Sequence, residues 1–232
     1  RLRNYYTITI KLNNMKIFSG TSCQNLTNQI CKALQEELVK HSSFGMVDGE
    51  ITPGRLKIDK FSDGEILPLF QESIRDEDVF FVQTTNNSDN IMETLLVIDA
   101  AKRAGCKSFT LVAPFQGYSR QDKTDHLRSS IGSKMLADVL EAAGMNRIIT
   151  IDLHASAIQG FYNVPVIHLN GNKIFIEYIK EHKITNEICF CIGTTTATAI
   201  KPFAENIVIA NQPSVENVII QCIHYFKSTK ND

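Results

Sequence analysis

Phe109-Thr110-Leu111-Val112-Ala113-Pro114-Phe115-Gln116-Gly117-Tyr118-Ser119-Arg120-Gln121-Asp122-Lys123 changes character part-way along. The segment from Phe109 to Pro114 is apolar and has the length of a buried strand. Arg120, Gln121, Asp122 and Lys123 then crowd the stretch beyond that strand's end. Packing gives such a cluster no purpose, whereas a loop that handles phosphate or metal does. In open α/β sheets, ligands occupy the crevice beyond the carboxyl ends of the strands.

Working outward, strands and helices alternate. Lys16-Ile17-Phe18 ends at Ser19-Gly20, and Gln24 to Lys40 has helical spacing through Leu26, Ile30, Leu34 and Leu38. A turn-rich stretch over 44–54 leads to Arg55–Phe61, which alternates like a strand, and Val79–Gln83 is a short buried one. Asn90–Ala104 and Ser130–Ala143 read as helices closed by Gly105 and Gly144. Arg147–Asp152 is the next strand. The pattern predicts an α/β protein whose mostly parallel sheets are flanked by helices.

A second, shorter series follows. Val164–Ile167 is extended, Asn172–His182 helical and Glu187–Ile192 strand-like. Gly193-Thr194-Thr195-Thr196 then opens a helix over Ala197–Glu205, which abuts a strand at Asn206–Ala210. Helix-to-strand connections usually take two to six residues, so the direct junction at 205/206 implies missing connecting segments. The last helix runs from Ser214 to Phe226, with an apolar face through Val218, Ile219, Cys222 and Ile223. At the other end, Tyr5–Lys11 alternates like a strand, and Arg1–Asn14 fits no signal-peptide plan.

The 232 residues are 43% hydrophobic and 21% charged, enough for one large core or two small ones. With 24 basic against 25 acidic side chains the net charge is -1, so no global basic field addresses nucleic acid. Any anion site must be local. The six cysteines form no Cys-x-x-Cys pair, and most sit in apolar periodic segments, the usage of a reduced intracellular protein. No apolar run approaches the ~18 residues that mark a membrane span.

Three further motifs carry chemistry, each with a plainer explanation beside it. Asp152 and His154 stand two apart at a strand end, so their side chains share a face where they could hold a metal or relay a proton. Equally, Asp152 could cap a turn beside an unrelated surface histidine. Phe61-Ser62-Asp63-Gly64-Glu65 sets two carboxylates around a glycine that lets a ligand approach the backbone, but Asp-Gly is also a strong hairpin-turn signal. Arg120, Lys123 and Arg128 lie within nine residues and suit phosphate, or else form a solvated charged loop. Gly193-Thr194 before a helix offers free N–H groups to a phosphate, or is an ordinary cap.

Taken in order, each at a strand end, Phe61-Ser62-Asp63-Gly64-Glu65, Tyr118-Ser119-Arg120-Gln121-Asp122-Lys123 and Asp152-Leu153-His154-Ala155-Ser156 resemble ribose-phosphate pyrophosphokinases. Lys16–Gly20 and Ile158–Phe161 fit the same family, and the likeness runs from about Met15 to Leu169. The resemblance implies two type I phosphoribosyltransferase-like domains. An ATP-binding domain would span 15–163 and a ribose-phosphate domain 164–212, with the helix over 214–227 returning to the first. It implies transfer of the β,γ-diphosphoryl group of Mg-ATP to the 1-hydroxyl of ribose 5-phosphate, giving phosphoribosyl pyrophosphate and AMP in the cytoplasm. Phe61, Asp63, Gly64 and Glu65 would reach the ATP of a neighbouring subunit in a dimer-built homo-oligomer, by resemblance a hexamer. Arg120 and Gln121 would hold ATP, with Asp122 and Lys123 nearby. His154 and Asp152 would bind Mg²⁺, and Gly193 and Thr194 the ribose 5-phosphate.

The departures cluster in the second series. The family's Asp-Asp-x-x-Asp-Thr stretch, its flexible Lys- and Arg-bearing loop and its Asp-Ala-Gly-Gly segment are not in the sequence. Asn163 and Ile167 stand where relatives often carry acidic residues. The alternative is a non-catalytic relative that joins active subunits and regulates them. A phosphoribosyltransferase that consumes the product fits poorly, since it has no need of the Arg120–Lys123 motif.

Overall fold

The computed structural model describes residues 14–41, 50–124, 126–181, 188–212 and 214–228. The strand expected at Tyr5–Lys11 lies outside them. The chain divides into two compact units after Leu169.

The first unit contains β1 (Met15–Ser19), α1 (Gln24–His41), β2 (Leu56–Lys60), β3 (Ile66–Phe70), β4 (Asp78–Val82) and α2 (Ser88–Arg103). It continues with β5 (Ser108–Ala113), α3 (Gly132–Ala143), β6 (Arg147–Ile151), a 3-10 helix (Ser156–Phe161) and β7 (Val166–Leu169). Five strands form one parallel sheet in the order β1-β4-β5-β6-β7. Parallel register sets Phe18, Phe81 and Leu111 in one row. That row packs with Val97 and Ile98 of α2 and Leu136 and Leu140 of α3. On the opposite face Ile17, Phe80 and Val82 meet α1 through Cys31, Leu26 and Ile30. Covering both faces explains why β4 and β5 read as continuous apolar runs rather than alternating ones.

Helix ends follow local chemistry. Asn87 caps α2, its side-chain oxygen accepting from the Asn90 N–H at 2.8 Å. Gly105 and Gly144, expected to close α2 and α3, have φ of 79° and 124°. Asp63-Gly64 is the tip of an antiparallel hairpin of β2 and β3, with Gly64 at φ 96° and the Phe61 N–H donating to the Glu65 carbonyl at 2.8 Å. Pro68 masks β3 in the sequence because proline is disfavoured inside strands.

Three expectations change. The segment assigned to the second domain from residue 164 joins the first sheet, since Val166–Leu169 pairs with β6 and the Ile148 N–H donates to the Pro165 carbonyl at 3.1 Å. The boundary therefore falls after Leu169 rather than at 163/164. In the second unit α4 (Asn172–Glu181) precedes β8 (Ile188–Cys191), α5 (Thr194–Ile200), β9 (Asn206–Ile209) and α6 (Val215–Ser228). α5 stops at Ile200, ahead of Pro202, which cannot extend a helix. Lys201–Glu205 then forms a turn of ordinary length between α5 and β9, so the steric conflict expected at 205/206 does not arise. β8 and β9 pair in parallel across α5. Finally, α6 packs on β8 and β9, with Tyr225 and Phe226 at 6.0 and 6.2 Å from the Phe190 ring. It belongs to the second compact unit rather than, as expected, to the first.

Candidate active site

Adjacent parallel strands deliver their carboxyl ends side by side, and here three of them do so. β4 and β5 pair up to Val82 and Val112. Beyond them the Thr85 N–H donates to the Phe115 carbonyl at 3.1 Å, and the Gly117 N–H donates to Thr85 Oγ1 at 2.9 Å. A Cβ on Gly117 would lie 1.8 Å from the Thr85 carbonyl oxygen, so only glycine permits this approach. The loop then tightens on itself. Ser119 Oγ donates to the Gln116 carbonyl at 2.8 Å, and the Gln121 N–H to the Tyr118 carbonyl at 2.9 Å. The Ser133 N–H, in the first turn of α3, donates to the Gln121 carbonyl at 3.1 Å.

At the end of β6 the Asp152 N–H still donates to Leu169 at 3.0 Å, and the Leu153 N–H donates to Nε2 of His168 at 3.1 Å. Asp152 and Tyr118 both adopt left-handed backbone, with φ of 46° and 56°. Such conformations cost a non-glycine residue on the order of 1–2 kcal/mol and gather at functional sites.

A cavity of about 560 Å³ opens between these loops. Arg120 and Gln121 from the β5 loop line it together with Asp152 and His154 from the β6 end. A guanidinium, a carboxamide, a carboxylate and an imidazole thus converge on a space of the size that holds a small ligand. Asp152 and His154 are exposed, as are Arg120 and Gln121, so all four can meet a ligand.

Other expected residues lie apart. Asp122 and Lys123 follow the loop without lining the cavity. Phe61, Asp63, Gly64 and Glu65 are exposed at the hairpin tip, with Phe61 at 53%. Gly193 and Thr194 belong to the second unit, where the Ala197 N–H donates to Gly193 and Thr198 Oγ1 to Thr194 at the start of α5. Among the described residues no group of three or more metal-ligating side chains occurs.

Asn86, Phe115 and Gln116 also line the cavity, although no sequence motif assigns them a role. Thr84 and Asn90 both donate to Asn86 Oδ1, at 2.9 and 2.7 Å, which orients its carboxamide on the wall. Gln116 is buried and its Oε1 has no partner among the described residues. The available signal was Thr84-Thr85-Asn86-Asn87, the same switch from apolar to polar after a buried strand that marks Arg120–Lys123.

The family model for the N-terminal domain of ribose phosphate pyrophosphokinase matches residues 15–144. The chain belongs to the ribose-phosphate pyrophosphokinase family. A ribose-phosphate pyrophosphokinase of Porphyromonas gingivalis is 47% identical over 171 residues, 73% of this chain and 50% of the relative. One from Corynebacterium ammoniagenes is 42% identical over 169 residues, 72% of this chain and 49% of the relative. The crystal structure of phosphoribosylpyrophosphate synthetase from Mycobacterium smegmatis superposes with a TM-score of 0.68 at 30% identity, covering 85% of this chain and 63% of that one. The chain spans about half the length of the curated pyrophosphokinases it matches. Within the matched segment lie β1 to α3, and with them the hairpin tip and the Arg120–Gln121 loop.

Proposed function

We propose that the cavity beyond β5 and β6 binds ATP, and that the chain acts as a ribose-phosphate diphosphokinase. The reaction is transfer of the β,γ-diphosphoryl group of ATP to ribose 5-phosphate, releasing AMP and supplying nucleotide biosynthesis. The observation that carries the reading is the convergence of Arg120, Gln121, Asp152 and His154 on one cavity in a chain of this family.

Each residue has work suited to its chemistry. Arg120 offers a planar fork of donors to phosphate oxygens, and Gln121 offers both a donor and an acceptor. Asp152 supplies the hard oxygen that Mg²⁺ prefers, and His154 a second donor for the ion or a phosphate. Two protein donors are a reasonable set for Mg²⁺, which usually keeps waters and takes its other ligands from substrate phosphates. The bound ion would neutralise phosphate charge during transfer. The protein's share is to align the triphosphate, because phosphoryl-type transfer depends on positioning more than on covalent participation.

The same reading gives Phe61, Asp63, Gly64 and Glu65 to the ATP site of a neighbouring subunit in a homo-oligomer. Their exposure at a hairpin tip, away from the cavity, supports that role. Asp122 and Lys123 would approach the nucleotide from the flank, and Gly193 and Thr194 would serve ribose 5-phosphate. No described helix is long and apolar enough to cross a membrane, and a cytoplasmic location accords with unpaired cysteines.

The test measures AMP formation from ATP and its dependence on ribose 5-phosphate and Mg²⁺. Arg120→Ala should lower the rate at least about tenfold, the scale of a lost charge-assisted contact. ATP binding without turnover would instead favour the regulatory relative.

A further inference from the structure

We infer that Thr85, a residue outside the cavity lining, is a positioning residue that sets the placement of the Arg120–Gln121 loop through Gly117. The inference rests on the cavity being the ATP site. Thr85 is fully buried, and no ligand can touch it. It nevertheless grips the loop at two points, donating its N–H to the Phe115 carbonyl at 3.1 Å and accepting the Gly117 N–H on its hydroxyl at 2.9 Å. The grip is closed sterically as well, since a Cβ on Gly117 would meet the Thr85 carbonyl oxygen at 1.8 Å.

These contacts are the transverse link between two cavity walls. One wall is Asn86, the next residue after Thr85; the other is the segment from Phe115 to Gln121. β4 and β5 pair through Val82 and Val112, and the Gln83 N–H reaches the Val112 carbonyl at 3.0 Å. Past that point the link runs through the Thr85 hydroxyl and N–H. Arg120 stands three residues beyond Gly117, so a shift at Gly117 moves the guanidinium. An error of about 1 Å at a positioning contact is enough to cost on the order of a hundredfold in function. Losing the hydroxyl strands a buried N–H, and the loop relieves that penalty by moving away.

The experiment compares Thr85→Val, which keeps the shape and removes the hydroxyl, with Thr85→Ser, which keeps the hydroxyl. Mg-ATP affinity is measured by calorimetric titration of the full chain, alongside thermal melting and hydrogen exchange at the Gly117 amide. The expected result is an affinity about tenfold weaker in Thr85→Val, most of it restored in Thr85→Ser, with Gly117 exchange slow in the wild type and in Thr85→Ser and faster in Thr85→Val. Wild-type affinity in Thr85→Val overturns the inference, and so does an equal loss in Thr85→Ser. Should Thr85→Val fail to fold, the Gly117 amide decides: exchange in the wild type as fast as at an exposed amide overturns the clamp. A wild-type chain that binds no ATP sinks the ATP reading instead, while Gly117 exchange still reports on the clamp itself.

Discussion

Oε1 of Gln121 occupies the space where a side chain on Gly132 would begin. A Cβ there would lie 2.5 Å from that oxygen and 3.1 Å from Cδ1 of Tyr118. Gly132 opens α3, a place where alanine would otherwise favour the helix. The obstructed atom is the end of a flexible side chain, so Gly132→Ala should leave the fold intact and push Gln121 out of position. ATP affinity is expected to fall about fivefold, roughly one ordinary hydrogen bond, with little change in the thermal midpoint. Unchanged affinity in titration would remove Gln121 from the nucleotide contacts.

Much of this arrangement is legible in the residue order. The switch from the apolar Phe109–Pro114 to the polar Arg120–Lys123 marks the loop. Asp152 and His154 do line one cavity, but from beyond β6, where the left-handed backbone of Asp152 ends the strand periodicity that pairs them in the sequence. What stayed hidden depends on contacts distant in sequence. Nothing local marks Thr85 as the partner of Gly117, because that bond joins residues 32 apart. Val166–Leu169 falls in the first unit rather than the second for a similar reason: a strand's own residues do not reveal its pairing partner, which here is β6. α5 ends at Ile200 rather than at the expected Glu205, because Pro202 cannot continue a helix.

Asp63 combines a turn role with a proposed nucleotide role, and the two are separable. Its Oδ1 accepts the Glu65 N–H at 3.1 Å, which helps close the hairpin. Asp63→Asn keeps that acceptor and removes the charge; Asp63→Ala removes both. If the carboxylate serves a neighbouring subunit's ATP, both variants weaken ATP binding about tenfold or more in the oligomer. A purely structural Asp63 would show the loss in alanine alone, with asparagine binding like the wild type.

Glu72 ties the hairpin to the sheet, accepting from the Lys16 ammonium on β1 and from the Arg55 N–H at 2.6 Å. Burial pushes its carboxyl up, but the Lys16 and Arg55 hydrogen bonds and charges outweigh it and hold it below the ordinary value. Asp78 is likewise held down, chiefly by the Ser108 hydroxyl and then, against burial, by Lys107. A carboxylate depressed in the folded state is protonated first in the unfolded chain. Its stabilisation is therefore complete above the unfolded value, about 4, and disappears as pH falls through the folded one. The urea midpoint should drop on acidification below about pH 5, and less steeply in Glu72→Gln. Superimposable pH profiles for the two proteins would dismiss Glu72 as a contributor.

Tyr162 presents the opposite case, a polar group whose removal should do no harm. Its hydroxyl is buried and has no hydrogen-bond partner among the described residues. Burial, and secondarily the nearby Glu141 charge, push the phenol well above its ordinary range. Glu141 is already engaged, accepting from the Asn163 N–H and Nδ2 at 2.7 and 3.0 Å. An unpaired buried hydroxyl forfeits its hydration without compensation. Tyr162→Phe keeps the ring in the core and deletes only that penalty, so stability should hold or rise by up to about 1 kcal/mol. Chemical denaturation provides the measurement. A loss of more than about 1 kcal/mol would mean that the hydroxyl has a hydrogen-bond partner in solution, such as an ordered water beside the 3-10 helix.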